Sequence, residues 1–239
     1  MKAVILAAGE GKRMRPLTLK TPKPLLSVAG KTFLDHIFLS FPEEITEAVI
    51  VVHYLGEQIR EYCGSVFHGC SISYVEGSAL GTAYSFLAAK PFIGDDRFVL
   101  LYGDELPRRA DFDACLKYPL SILCCEVNDP WNHGVVITGE DGTILSVIEK
   151  PQHLFHGLIV GGLMVLDKDI FDYEPQSGAN DEYYLSSMVD QLAKKRRMVA
   201  VVAKDVIGGI SSKEDLIRAE HLLKERFGKD NHVIHSSAL

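Results

Sequence analysis

Two glycines closing an apolar run, an arginine two residues on and a lysine set between prolines are the residues of this sequence best equipped for chemistry. The segment reads Leu6-Ala7-Ala8-Gly9-Glu10-Gly11-Lys12-Arg13-Met14-Arg15-Pro16-Leu17-Thr18, then Thr21-Pro22-Lys23-Pro24-Leu25-Leu26. Glycines at a strand end let backbone N–H groups approach a phosphate or a base with no Cβ in the way. Arg13 and Lys23 add charge, and Pro16, Pro22 and Pro24 stiffen the loop that carries them. Two common nucleotide motifs are excluded. Met14 stands where a dinucleotide fingerprint needs its third Gly or Ala. Gly30-Lys31-Thr32 ends like a Walker A motif, but Leu25 occupies its first glycine and no strand leads into it. A lone Gly-x-Gly is more often a turn than a ligand loop. The whole string is far more specific.

The charge distribution points the same way. The 239 residues carry a net −7. Residues 1–31 hold seven basic residues (Lys2, Lys12, Arg13, Arg15, Lys20, Lys23 and Lys31) against Glu10 alone, a net +6 that leaves −13 for the rest. Uneven scatter of surface charge is the bland alternative. An acidic total disfavours binding to a nucleic acid polymer. With 47% hydrophobic and 24% charged residues the chain reads as globular, not disordered. The longest strongly apolar stretch, Gly157 to Leu166, falls well short of the ~20 residues of a membrane helix, so no membrane partner is expected. Met1 to Gly9 could mimic a signal peptide but runs straight into a charged loop, so a first strand is the better reading. Cys63, Cys70, Cys115, Cys124 and Cys125 contain no C-x-x-C pair, and a reducing cytoplasm is the simplest setting.

The elements that must position these residues alternate in type. Ala3 to Ala8 reads as a buried strand, Thr32 to Phe41 as a helix stopped by Pro42, and Ala48 to Val52 as a strand. A short helix over Gly56 to Cys63, a strand over Cys70 to Val75 and a helix over Thr82 to Ala89 follow. Phe98 to Tyr102 is a strand that breaks at Gly103-Asp104. Ala110 to Lys117 is helical and Ser121 to Val127 a strand. This alternation predicts a mainly parallel sheet covered by helices. The pattern then changes. Val135 to Ile137 and Ile144 to Ile148 flank Asp141-Gly142, a hairpin signal. Leu158 to Leu166 and Met198 to Ala203 read as strands, and Tyr184 to Lys195 as a helix. Ser211-Ser212-Lys213-Glu214 has the capping-box pattern before a last helix through Phe227. The expectation is one α/β domain over 1–230, Rossmann-like (GT-A-like), a mainly parallel mixed sheet flanked by helices with an antiparallel insertion in its second half. Residues 231–239 read as a loose tail.

The opening string resembles the sugar-phosphate nucleotidylyltransferases, whose motif is Gly-x-Gly-x-Arg followed by Pro-Leu-Thr and Pro-Lys-Pro. The likeness covers nearly the whole chain. Glu76 with Leu80-Gly81-Thr82-Ala83 resembles the family's base-recognition segment, and Gly103-Asp104 its metal-binding aspartate. His133-Gly134-Val135-Val136 resembles its sugar-contacting loop, Glu149-Lys150-Pro151 its sugar and phosphate motif, and Lys213-Glu214-Asp215-Leu216 the end of its last motif. The resemblance implies an enzyme joining a nucleoside triphosphate and a sugar 1-phosphate, with release of pyrophosphate. Its implied roles are Arg13 and Lys23 on the transferring phosphates and Leu6, Ala8, Gly9, Gly11, Glu76, Gly81 and Thr82 around the nucleotide. Gly134, Glu149, Lys150 and Val160 would hold the sugar phosphate, and Asp104 would hold Mg²⁺. Glu76 stands where many members carry Gln; a carboxylate only accepts hydrogen bonds, which tilts the base towards guanine or cytosine. Uracil and thymine also offer one N–H. Taken singly, Asp104 reads equally as a cap, Glu149-Lys150 as a hairpin end, Glu76 as a solvated strand end and Trp131 as packing. Their arrival in the family's order shifts the balance.

The sequence also departs from the pattern. Gly209 replaces the second metal-binding Asp, and Asp205, four residues earlier, substitutes only if the loop folds back. Val160-Gly161-Gly162-Leu163-Met164 lacks the polar atoms of a strand that often reads Asn-x-Gly-x-Tyr. Two further readings stay open: transfer to a phosphorylated alcohol such as phosphocholine, and a noncatalytic nucleotide-sugar-binding subunit. The length leaves no room for the left-handed β-helix that some relatives append. Oligomeric state is not readable.

Overall fold

The computed structural model describes the chain apart from residues 129, 152–155, 179–180, 205 and 237–239, and apart from the side chains of 132 and 227–236. Strand β1 (Lys2–Ala7) is central and apolar because both of its faces are covered. Ala3, Ile5 and Ala7 enter one hydrophobic cluster and Val4 and Leu6 another, the period-two alternation of a strand. A small hairpin follows, β2 (Ser27–Val28) and β3 (Lys31–Thr32), then α1 (Phe33–Leu39) and β4 (Glu47–Val52). Next come α2 (Gly56–Cys63), β5 (Val66–Phe67), β6 (Cys70–Glu76), α3 (Thr82–Leu87), β7 (Phe98–Tyr102), α4 (Arg109–Cys115) and β8 (Ser121–Val127). The hairpin β9 (Gly134–Thr138) and β10 (Ile144–Glu149), then β11 (Gly157–Leu166), α5 (Leu185–Ala193), β12 (Val199–Val202) and α6 (Lys213–Ser236) complete the order.

Among the described residues, ten strands form one mixed sheet in the order β10-β9-β11-β7-β1-β4-β6-β5, with β8 beside β11 and β12 beside β8. Strands β6, β4, β1 and β7 run parallel, as β-α alternation requires. The expected α/β, Rossmann-like architecture is therefore the one observed. The second half enters the same sheet, because β11 is antiparallel to β7, β8 and β9. Strand β8 ends the β-α run without touching β7; the ten-residue β11 stands between them. Helices α1, α2, α4 and α6 cover one face, burying Phe33, Ile59, Phe112 and Leu223. Helices α3 and α5 cover the other, where Phe86 stacks on Phe171 at 4.9 Å.

Local chemistry explains the boundaries. Thr32 and Asp35 form a capping box at the start of α1. Gly142 adopts a left-handed φ of 75° and turns the β9–β10 hairpin where Asp141-Gly142 signals it. The box that opens α6 is one residue further on than the sequence pattern suggests. Ser212 Oγ accepts the Asp215 N–H, and the Asp215 carboxylate accepts the Ser211 and Ser212 N–H groups. Helix α6 also continues past Phe227 to Ser236, into the stretch read as a loose tail, since no proline follows to stop it. The carboxyl ends of β1, β4, β6 and β7 share one edge, where open α/β sheets form their ligand crevice.

Candidate active site

A cleft of about 590 Å³ opens at that edge. Leu6, Ala8, Gly9, Gly11, Arg13, Lys23, Gly81, Thr82 and Asp104 all line it, so the structure gathers most of the residues singled out in the sequence. The loop after β1 owes its shape to Gly11, which has a φ of 61° and receives the Thr18 hydroxyl on its carbonyl at 2.8 Å. A Cβ there would come within 2.9 Å of Thr18 Cγ2. Met14 is fully buried, which explains the broken dinucleotide fingerprint: the residue anchors the loop in the core. Arg13 is exposed in the cleft and has no ionic or hydrogen-bonding partner among the described residues.

Lys23 rides on the turn Lys23–Leu25, fixed by Pro22 and Pro24. Its ammonium pairs with Asp104, and the two side chains are 13% and 30% exposed. Asp104 is delivered by the break after β7, where the Gly103 N–H donates to the Leu6 carbonyl at 2.9 Å and ties the ends of β1 and β7 together. On the opposite wall Gly81 has a φ of 126°, and a Cβ there would lie 2.4 Å from the Tyr183 carbonyl oxygen. That close approach lets the backbone of Tyr183 bond to Leu80 and Ala83, while Thr82 Oγ1 accepts the Leu185 N–H.

The remaining residues form an adjoining corner. Gly134 faces Glu149 across the β9–β10 hairpin, and a Cβ on Gly134 would stand 3.3 Å from Glu149 Oε2 and 3.4 Å from Val160 Cγ2. Burial pushes the Glu149 carboxyl up, against the Ser186 hydroxyl that donates to it at 2.8 Å. Lys150, with a φ of 46°, donates from Nζ to the Tyr184 hydroxyl at 2.7 Å. That hydroxyl donates to Glu182 Oε2 at 2.6 Å, and Glu182 lines the main cleft. Tyr184 and Glu182 thus link this cluster to the cleft. Sequence reading missed them, as well as Ser186, because they sit before and at the start of a helix with no motif around them.

Glu76 is placed differently from the sequence expectation. Its side chain is 62% exposed, and it is not among the cleft-lining residues. His53, at the carboxyl end of β4, lines the cleft instead. The end-of-strand rule for ligand sites was the available signal.

Among the described residues no group of three or more His, Cys, Asp or Glu side chains could hold a metal ion, so a cation at Asp104 would take most of its ligands from phosphate and water. Asp104 presents a carboxylate beside space for phosphate oxygens, the hard ligands that Mg²⁺ takes. Gly209 supplies no side chain, and Asp205 lies outside the described residues. Next to Asp104, Glu105 accepts the Gly209 N–H, and its Oε2 is sealed from solvent with no hydrogen-bond partner. Burial first, then the neighbouring Asp104 charge, pushes this carboxyl well above its usual range. A Cβ on Gly208 would fall 1.6 Å from that oxygen, so Glu105 fills the space a side chain at 208 would take.

A parallel sheet whose strand ends meet at a glycine loop, with Arg13, Lys23 and Asp104 lining one cleft there, defines an α/β protein with a charged crevice at its strand ends. The chain belongs to the nucleotidyl transferase family, whose model matches residues 2–221. It is 31% identical over 242 residues to UTP--glucose-1-phosphate uridylyltransferase AglF of Haloferax volcanii, covering 94% of this chain and 97% of AglF. It is 30% identical over 233 residues to the bifunctional protein GlmU of Methanocaldococcus jannaschii, covering 96% of this chain and 56% of GlmU. The chain spans about half the length of the GlmU relatives it matches. A UDP-glucose pyrophosphorylase solved with UDP-glucose shares the fold, with a TM-score of 0.78 at 24% identity over 94% of this chain and 98% of that one.

Proposed function

We propose that the chain transfers a nucleotidyl group from a nucleoside triphosphate to a sugar 1-phosphate, releasing pyrophosphate. The observation that supports this reading is the link between a cleft walled by the Gly9–Arg13 loop, Lys23 and Asp104 and a cluster of Gly134, Glu149, Lys150 and Val160, made by the Lys150–Tyr184–Glu182 hydrogen bonds. Kinship with AglF, which is named for this type of reaction, supports it.

An oxygen of the sugar phosphate attacks the α-phosphorus in line, and the bond from that phosphorus to the bridging oxygen of the β-phosphate breaks. A phosphate with a second pKa near ~6 is already largely a dianion at neutral pH, so no general base is needed. Bringing anions together is the obstacle, and catalysis is positioning and charge neutralisation. Arg13, without a partner among the described residues, is available to the β- and γ-phosphates that leave. Lys23 holds phosphate oxygens, and Lys150 holds the acceptor phosphate. Leu6, Ala8, Gly9, Gly11, Gly81 and Thr82 surround the nucleoside. Glu149, kept in place by Ser186, accepts sugar hydroxyls. Mg²⁺ at Asp104, when bound, adds charge that offsets the developing negative charge on phosphate oxygens. A reducing, cytoplasmic setting is supported by the five unpaired cysteines.

The test is pyrophosphate release over a panel of nucleoside triphosphates and phosphorylated acceptors. Turnover with at least one sugar 1-phosphate is expected. Turnover only with phosphocholine-type acceptors, or none together with tight nucleotide-sugar binding, overturns the proposal.

A further inference from the structure

His53 follows β4, lines the cleft and is the register neighbour, through Val52, of the strand end that carries Glu76. Its Nδ1 stands 2.7 Å from Glu76 Oε1. Arg60, on α2, brings Nη2 to 3.7 Å from the other Glu76 oxygen. The carboxylate therefore already has partners on both oxygens, and it is not part of the cleft lining. His53 is what this strand end presents to the cleft, whose lining also includes the small residues Ser78, Ala79 and Gly81.

We propose that His53 reads the edge of the nucleobase and that Glu76 is its positioning residue. The inference rests on the reading of the cleft as a nucleotide site. Its chemistry is specific. A carboxylate only accepts, so the proton of a neutral imidazole sits on Nδ1 and leaves Nε2 as a lone-pair acceptor. Nε2 makes no hydrogen bond among the described residues. Such an acceptor matches a base with a ring N–H on its pairing edge: N3–H of uracil and thymine, or N1–H of guanine. Cytosine N3 and adenine N1, seated alike, would oppose it lone pair to lone pair. The ligand class is thus a uridine, thymidine or guanosine triphosphate. This revises the tilt drawn from Glu76 alone, which included cytosine.

The experiment measures affinity for UTP, dTTP, GTP, CTP and ATP by calorimetry, and kcat/KM for each with the best acceptor. It compares the wild type, His53→Ala, Glu76→Ala and the double variant. The two side chains are 45% and 62% exposed and outside the hydrophobic core, so the variants fold. His53→Ala should cost about tenfold in affinity for the preferred nucleotides, the size of one hydrogen bond, and flatten the ranking. The KM of the acceptor should not move. Glu76→Ala should weaken the same ranking and add nothing in the His53→Ala background, because it acts through the ring. An unchanged ranking in His53→Ala, or additive effects of the two substitutions, overturns the inference while leaving the proposed reaction intact. Discriminating binding without turnover sinks the reaction and leaves the inference standing. No binding of any nucleotide overturns both.

Discussion

Lys23 and Asp104 meet as an ion pair in the cleft although 81 positions separate them in the chain. The pair neutralises a lysine and a carboxylate that, in the proposed reaction, would face phosphate oxygens, Lys23 directly and Asp104 through a cation. Asp104→Ala is expected to lower kcat/KM by about 10²–10³-fold, the usual loss when a charge-stabilising group is removed. The freed Lys23 should keep metal-free nucleotide affinity at or above the wild-type value. Calorimetry with and without Mg²⁺ checks both. Retention of most activity would refute the assignment of Asp104.

The Tyr184 hydroxyl accepts from Lys150 and donates to Glu182. Tyr184→Phe leaves the ring under the ammonium, at 4.3 Å from its centroid, but removes the tether. The KM for the sugar phosphate should rise about tenfold, since a hydrogen bond to a charged group is worth ~1.5 kcal/mol or more. The KM for the nucleotide should stay within about twofold. Steady-state kinetics in each substrate separate the two.

Gly209→Asp probes the missing carboxylate. Gly209 has a φ of 61°, and a Cβ there meets His133 Cε1 at an ordinary 3.5 Å, so the side chain has space. The left-handed conformation should cost about 1 kcal/mol of stability. Tighter Mn²⁺ binding, followed by electron paramagnetic resonance, and half-maximal activity at lower Mg²⁺ are expected. Unchanged metal affinity would show that position 209 does not face the cation.

Glu105→Gln removes a carboxyl whose Oε2 is buried without a partner, while an amide oxygen can still accept the Gly209 N–H. The substitution should stabilise the fold by about 1 kcal/mol at neutral pH and not near pH 4, because a carboxyl raised in the fold loses stability as the pH climbs above its unfolded value of about 4.3, whereas a neutral amide does not. In a chain of this size that is a rise in Tm of ~2–4 °C, readable by calorimetry.

Asp35 anchors α1. Burial by itself would raise its carboxyl, but hydrogen bonds from His68, Thr32 and Tyr62 outweigh that and hold it far below the usual range. A depressed native pKa contributes stability above the unfolded value of about 4 and loses it as the pH falls below that. Asp35→Asn should therefore cost about 2 kcal/mol at pH 7 and clearly less at pH 2, because the loss begins below the unfolded value and is complete only once the pH falls through the depressed native one. Urea denaturation at the two pH values tests the difference.

Much of this was legible from local rules. The apolar run of β1, the break after Tyr102 and the turn at Gly142 each carry their signal within a few residues, and the elements fall where those signals lie. The Gly9–Arg13 loop and Lys23 could be picked out because phosphate chemistry constrains residue type and spacing together, whereas Asp104, equally readable as a cap, is singled out only by the family resemblance. What sequence reading missed depends on long-range contact. The place of β11 between β7 and β8 is fixed by pairing across distant segments. Glu182 and Tyr184 matter only because α5 packs beside α3 and brings them to Lys150. Glu76 was read at its own position, whereas its partner His53 lies 23 residues earlier on the neighbouring strand.

The packing of Glu105 into the space beside Gly208 makes three positions interdependent. A side chain larger than hydrogen at 208 collides with Glu105 Oε2, and one at 209 changes the loop whose N–H that carboxylate holds. Substitutions here must therefore occur in a fixed order. Position 105 must shrink before 208 can grow, so a lineage that acquired Glu105 has closed the single-step route back to a side chain at 208. Libraries that vary these sites one at a time will find the loop intolerant, whereas libraries that vary them together will find it permissive.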